Sequence, residues 1–219
     1  MAASSARDLY FGAYLRVEAP DRKLMSQLAG PDNAVGDIGS IEWDTDSHAR
    51  QQAWLVNRFG NRIGCLSASD SYKIAVYHAK GWTLSYVLSF VAIDESKGTN
   101  EYWAQAAVIA FDPRYEATFG AFLKQFSERA GEGFRPDPEL SREAVRTLAA
   151  DPASFKLTGK VKIPKNGSTT VVVKDHRTPH DRILDRARAG NKGCYAVSWL
   201  FIAALIAVAA FIAHTLGVF

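Results

Sequence analysis

Trp82-Thr83-Leu84-Ser85-Tyr86-Val87-Leu88-Ser89-Phe90-Val91-Ala92-Ile93 and Glu101-Tyr102-Trp103-Ala104-Gln105-Ala106-Ala107-Val108-Ile109-Ala110-Phe111, parted by the polar stretch Asp94–Asn100, decide the fold. Both runs are rich in aromatic and β-branched residues, and a polar break between two such runs predicts an antiparallel hairpin. Upstream, Gln52–Phe59 and Arg62–Leu66 flank Gly60-Asn61, a second hairpin signal. Ser69 then offers an N-cap to a helix through Tyr72, Ile74, Ala75 and Tyr77, with Gly81 as its stop. Leu9–Val17 reads as a strand ended by Pro20. Asp21–Asp46, rich in Gly, Asp and Pro, reads mostly as loop, with a short helical option at Arg22–Leu28 and a short strand near Ile38–Trp43.

Downstream of Pro113 the period changes. Tyr115, Phe119, Phe122, Leu123 and Phe126 recur at helical spacing, which predicts a helix packed on the sheet; an aromatic groove for a partner is the alternative. Gly131–Pro138 is a breaker, and Leu140–Leu148 a short helix stopped before Pro152. Phe155–Ile163 and Thr169–Lys174 read as strands of a further hairpin around Pro164–Gly167. The fold class expected is α+β: a small antiparallel β-barrel-like or twisted-sheet domain with inserted and flanking helices, followed by one C-terminal transmembrane helix.

That last helix rests on Tyr195–Ala213, 19 residues without charge, Pro or Gly. At ~1.5 Å per residue they reach about 28 Å, close to the hydrocarbon thickness of a bilayer. Tyr195 and Trp199 sit where interfacial rings favour the headgroup level. Lys174, Arg177, Arg182, Arg186, Arg188 and Lys192 precede the span, and no Lys or Arg comes after it. Basic flanks stay cytoplasmic, so the N-terminal part is expected in the cytoplasm of a single-pass, tail-anchored protein of the cell membrane. Thr178-Pro179-His180-Asp181 opens a helix toward about Ala189. Its Arg182, Arg186, Arg188 and Lys192 are expected to meet anionic lipid, each contributing on the order of 1 kcal/mol. The divisions are 1–8 (disordered N-terminus), 9–130 (α+β cytoplasmic domain), 131–175 (helix plus hairpin), 176–193 (basic juxtamembrane helix) and 194–219 (anchor).

Composition narrows the function. Residues 1–150 carry 16 Lys+Arg against 19 Asp+Glu, whereas the remainder carries 10 against 4. The basic excess therefore lies beside the span and suits anionic lipid, while the main domain has none for nucleic acid. Met1–Asp8 has no apolar core, so no signal peptide is expected. Cys65 lies in an apolar run and is expected in the core, Cys194 is juxtamembrane, and a disulfide between them is not expected.

Asp44-Thr45-Asp46-Ser47-His48 suggests a metal site, since carboxylates two apart can share a hard cation, but it lacks the further ligands of a calcium loop. Asp175-His176 and His180-Asp181 suggest zinc, but Pro179 separates the imidazoles from a common helical face. No Gly-x-Ser-x-Gly, P-loop or dinucleotide pattern occurs. No catalytic residue, cofactor or metal is therefore assigned.

Trp54-Leu55-Val56-Asn57-Arg58-Phe59-Gly60-Asn61-Arg62-Ile63-Gly64-Cys65-Leu66, then the Ser69–Lys80 helix and Gly81-Trp82, resemble HIRAN domains over roughly residues 9–111. The resemblance implies a small β-barrel, and DNA binding in some members. Asp44–Arg50 stands where that family has an Asn/Asp-rich loop leading into an Ala-Ile-x-Val strand, and it departs from that pattern. The leading expectation is a membrane-anchored, non-enzymatic binding or scaffolding domain with lipid and an unidentified protein as partners. Its rivals are a membrane-tethered HIRAN-like nucleic-acid binder and a metal-dependent hydrolase using Asp44, Asp46 and His48.

Overall fold

A computed structural model describes residues 9–45, 51–95, 101–152, 155–164, 170–184 and 201–202. The long aromatic and β-branched runs form β5 (Thr83–Asp94) and β6 (Glu101–Phe111), paired antiparallel from Thr83↔Phe111 to Asp94↔Glu101. The other edge of β6 pairs along its length with β1 (Tyr10–Glu18). From β1 the sheet continues through β4 (Arg62–Leu66), β3 (Gln51–Val56) and β2 (Ile38–Thr45). It then returns to β5 through Ile38↔Val87, Gly39↔Tyr86 and Ser40↔Ser85, closing a six-stranded antiparallel barrel. Closure gives every strand of the ring a neighbour on both sides, although β1 meets β4 only at Val17 and Glu18, and so shortens the free edges that are the usual hazard of a small sheet. β5 is longer than β2 can cover, and its far half, Val91–Asp94, takes β7 (Thr170–Lys174) as a seventh strand.

Side-chain alternation explains the burial. Ala104, Ala106 and Val108 of β6 face the barrel interior with Leu15, Val17, Leu55, Ile63, Tyr86 and Leu88. Helices α1 (Arg22–Ala29) and α2 (Ala68–Ala79) add Leu24, Leu28 and Ile74 to the same core. The alternate residues Ala107, Ile109 and Phe111 face outward into a second core with Tyr10 and Val87. There they meet Phe119, Phe122 and Phe126 of α3 (Glu116–Gly131) and Val145 and Leu148 of α4 (Arg142–Ala150). β6 is covered on both faces and is buried almost throughout, as its apolar run requires. β2 instead alternates exposed and partly buried residues. Each fully buried Val, Leu, Ile or Phe side chain contributes roughly 1.5–3 kcal/mol, and each alanine methyl less. At the seam, Gly39 lets the Tyr86 ring lie against the backbone, where any Cβ would overlap it and the Val56 carbonyl.

Several expectations are corrected. The β3–β4 loop is Asn57–Asn61 rather than Gly60-Asn61 alone, because Asn57 takes the turn over. Its Oδ1 accepts the Phe59 and Asn61 N–H groups, both at 3.0 Å. Ser67, not Ser69, caps α2, accepting the Asp70 N–H at 3.1 Å. The hairpin expected over 155–174 does not form among the described residues. β7 pairs with the open half of β5, while 155–164 makes only an isolated bridge, Lys160↔Pro136. Cys65 is half-buried rather than deep in the core, and burial, with Glu18 nearby, raises its thiol to about 11.

The chain divides into two compact units, Met1–Arg177 and Thr178–Phe219. In the second, Asp181 and Thr178 cap a helical stretch reciprocally. The Thr178 N–H donates to Asp181 Oδ2 at 2.9 Å and the Asp181 N–H to Thr178 Oγ1 at 3.2 Å. Arg182 is exposed on that stretch, whereas Arg186, Arg188, Lys192, Cys194, Tyr195 and Trp199 lie outside the described residues. Among the described residues no helix is long and apolar enough to cross a membrane. Phe201 and Ile202, the two described residues of the expected span, are helical and 65% and 46% exposed.

Candidate functional site

Asp44 is held by Arg62, whose Nη1 donates to Oδ2 at 3.0 Å, and this hydrogen bond lowers the pKa of its carboxyl. Asp46 and His48 lie outside the described residues. His176 Nδ1 lies 2.5 Å from Asp175 Oδ1, and His180 is exposed. Among the described residues no three His, Cys, Asp or Glu side chains are grouped as a metal would need.

A different constellation gathers on the outer face of the barrel, at the C-terminal end of α3. The β5–β6 register shifts between Leu88 and Phe90, which leaves Ser89 as the extra residue of a β-bulge. A bulge re-aims a side chain and recurs beside functional sites. Opposite it, Arg135 comes just after the Gly133 turn, where φ is +82°. Its guanidinium lies 3.9 Å from the centre of the Tyr14 ring and 5.3 Å from that of Phe90. Nη1 donates to the Lys162 carbonyl at 2.9 Å, and Nη2 to Gln105 Oε1. The Val161 N–H donates to the Arg135 carbonyl at 3.0 Å and the Asp137 N–H to the Gly159 carbonyl at 3.2 Å. Residues 159–162 thus form a strap across Arg135, carrying Lys160 and Lys162.

Arg135 is 7% exposed and Ser89 is 6% exposed. Arg135 Nε and Ser89 Oγ are buried without a hydrogen-bond partner, and Arg135 makes no ion pair among the described residues. An unsatisfied buried polar group costs about 1–3 kcal/mol, and an unpaired buried charge costs more. The two aromatic faces offset part of that cost. Burial lowers the pKa of Arg135, which still keeps its proton. Burial raises the Tyr14 phenol to about 12, with Arg135 and Ser89 acting the other way, and its proton goes to the Pro136 carbonyl at 2.6 Å.

Ser89 and Arg135 both line one recess of about 300 Å³, with Lys160, Lys162 and Ile163 on the strap side and Asp175 also in its lining. Arg135 and Lys162 also line a second recess of about 350 Å³ that reaches Tyr14 and Gln105. The first recess presents donors and positive charge.

Sequence reasoning missed this site. Arg135 stood inside the breaker Gly131–Pro138, and Ser89 was one polar residue of a strand with no sign of a bulge. The alternation Lys160-Val161-Lys162 was the one usable signal, because it puts two cations on one side of an extended segment. No known protein family, no characterised protein and no solved structure matches this chain.

Proposed function

We propose that the chain is a membrane-tethered, non-enzymatic binding module, with residues 194–219 as its anchor and the barrel in the cytoplasm. The observation that carries the binding part is the recess lined by Ser89 and Arg135, whose Oγ and Nε are buried without hydrogen-bond partners. The anchor is supported by the uncharged run Tyr195–Ala213, by its basic flank, and by the exposed helical pair Phe201 and Ile202. Arg182, Arg186, Arg188 and Lys192 are proposed to meet the anionic leaflet, and Tyr195 and Trp199 its headgroup level.

Labelling tests the topology. In a chain with Cys65 and Cys194 replaced by Ser, a membrane-impermeant thiol reagent applied to intact cells should reach a cysteine placed after Phe219 and miss Ser4→Cys. The reverse pattern contradicts the cytoplasmic assignment.

A HIRAN-like nucleic-acid binder is the rival. It is supported by the order β3, Gly60 turn, β4, α2, Gly81-Trp82, β5 within a closed barrel. Cations over rings on the β3–β4 hairpin, Arg62 at 5.0 Å from Trp54 and Arg58 at 4.9 Å from Phe59, resemble a base-stacking platform. Arg62 is already engaged by Glu42 and Asp44, which weakens that alternative. Salt-dependent binding of a single-stranded oligonucleotide, lost in Trp54→Ala, would favour it.

A further inference from the structure

We propose that the recess at the β5 bulge binds a phosphate monoester, an inference that rests on reading the barrel as a binding module. The ligand class is set by the lining. Three cationic residues, Arg135, Lys160 and Lys162, line the recess against one acidic residue, Asp175, whose carboxylate has His176 as a partner. That balance calls for more than one negative charge, and a phosphate monoester near neutral pH carries between one and two. Among the described residues three buried donors lack a partner, Ser89 Oγ, Arg135 Nε and Trp103 Nε1; the first two belong to residues that line the recess, and each is of a kind that suits a phosphate oxygen. The remaining Arg135 bonds go to a carbonyl and an amide oxygen, so the guanidinium is held in place while its charge stays uncompensated. Ile163 and Ala130 give the recess an apolar side for the organic part of the ester. A volume of about 300 Å³ exceeds that of a bare phosphate ion and admits a small esterified group. A soluble metabolite and a lipid headgroup share this chemistry.

The test uses the full chain in nanodiscs. In neutral phosphatidylcholine discs, glycerol 3-phosphate is titrated calorimetrically; in a parallel arm, discs contain phosphatidic acid, a monoester, or phosphatidylglycerol, a diester. Saturable binding of glycerol 3-phosphate supports a soluble source. Preference for phosphatidic acid over phosphatidylglycerol, without binding of the soluble ester, supports a headgroup.

Ser89→Ala is the decisive variant, because its hydroxyl makes no hydrogen bond of regular geometry, only an approach to the Tyr14 phenol that lowers that group's pKa. It should leave the melting temperature of the unliganded protein unchanged or higher, yet weaken phosphate binding about tenfold, the effect of one good hydrogen bond. Lys162→Gln should weaken it less. Arg135→Gln should abolish it, with circular dichroism checking that the strap change has not unfolded the domain. No binding in either arm, or binding that Ser89→Ala and Lys162→Gln leave untouched, overturns the proposal. The soluble arm reads the recess whether or not residues 194–219 anchor the chain. Failure of this site therefore remains distinct from failure of the membrane assignment.

Discussion

Arg177 and Asp37, 140 residues apart, close the first unit of the chain: Arg177 Nη2 donates to Asp37 Oδ1 at 2.7 Å. Arg177 Nε also donates to the Val35 carbonyl at 2.9 Å, and its backbone N–H to the Gly131 carbonyl at 2.8 Å. Asp37 is buried and in turn accepts the Ala34 N–H at 2.9 Å. Lys174 adds bonds from Nζ to the Gly30 and Asn33 carbonyls at 2.7 and 3.1 Å. The segment leading to the proposed anchor is therefore latched to the loop before β2.

Removing the buried member of this pair should cost more than removing the half-exposed one. Asp37→Ala deprives Arg177 and the Ala34 N–H of an acceptor and is expected to destabilise the fold by about 3 kcal/mol. Arg177→Ala leaves Asp37 with Ala34 and with Arg58 at 3.8 Å, and should cost about half as much. Urea unfolding of both single variants and the double variant checks this, with a coupling of about 1–2 kcal/mol expected between the sites.

Two glycines of similar backbone conformation should respond differently to alanine. Gly36 has φ +83°, and a Cβ there would sit 2.5 Å from the Ser127 carbonyl oxygen. Gly60 has φ +79° with open space around it. Gly60→Ala should cost about 1–2 kcal/mol from backbone strain alone. Gly36→Ala should cost roughly 1–3 kcal/mol more, because α3 must shift to make room. Equal shifts in melting temperature would show that α3 yields at no cost.

Alkaline pH should unfold the domain through its tyrosines. Burial raises Tyr10, Tyr14 and Tyr86 above the ordinary phenol value, Tyr14 to about 12. The folded state then holds protons that the unfolded chain releases above about pH 10, where free tyrosine titrates. Stability is unaffected by these groups below that pH and falls as pH rises toward the folded values. The loss is at most about 1.4 kcal/mol per pH unit for each tyrosine. Denaturation between pH 9 and 12 should steepen accordingly, and Tyr86→Phe should flatten the slope. A flat profile would contradict the burial of these hydroxyls.

Much of the barrel was legible because its determinants are local. The β5 and β6 runs, the helical stripe from Phe119 to Phe126 and the Gly81 stop each carry their own periodicity. The features that escaped depend on contacts distant in sequence. Closure through Gly39 against Tyr86 and the choice of β7 for β5 have no signature in any short window. The Ser89 bulge is a register event between two strands, and Arg135 becomes a site only when residues 159–162 cross it. The α2 cap failed at short range, since Ser67 and Ser69 are both able caps; Ser67→Ala should cost about 1 kcal/mol and Ser69→Ala close to nothing.

In the proposed function, residues 178–219 hold the barrel at a membrane. Vesicle flotation in high salt, comparing the full chain with a chain ending at Arg177, tests this most directly. Ending there keeps the Arg177–Asp37 latch. The full chain should float with vesicles and resist salt, because burial of the Tyr195–Ala213 run is not electrostatic. The shortened chain should stay in the aqueous fraction with the circular dichroism of a folded barrel. A shortened chain that floats, or a full chain that stays behind, would contradict tethering by this segment.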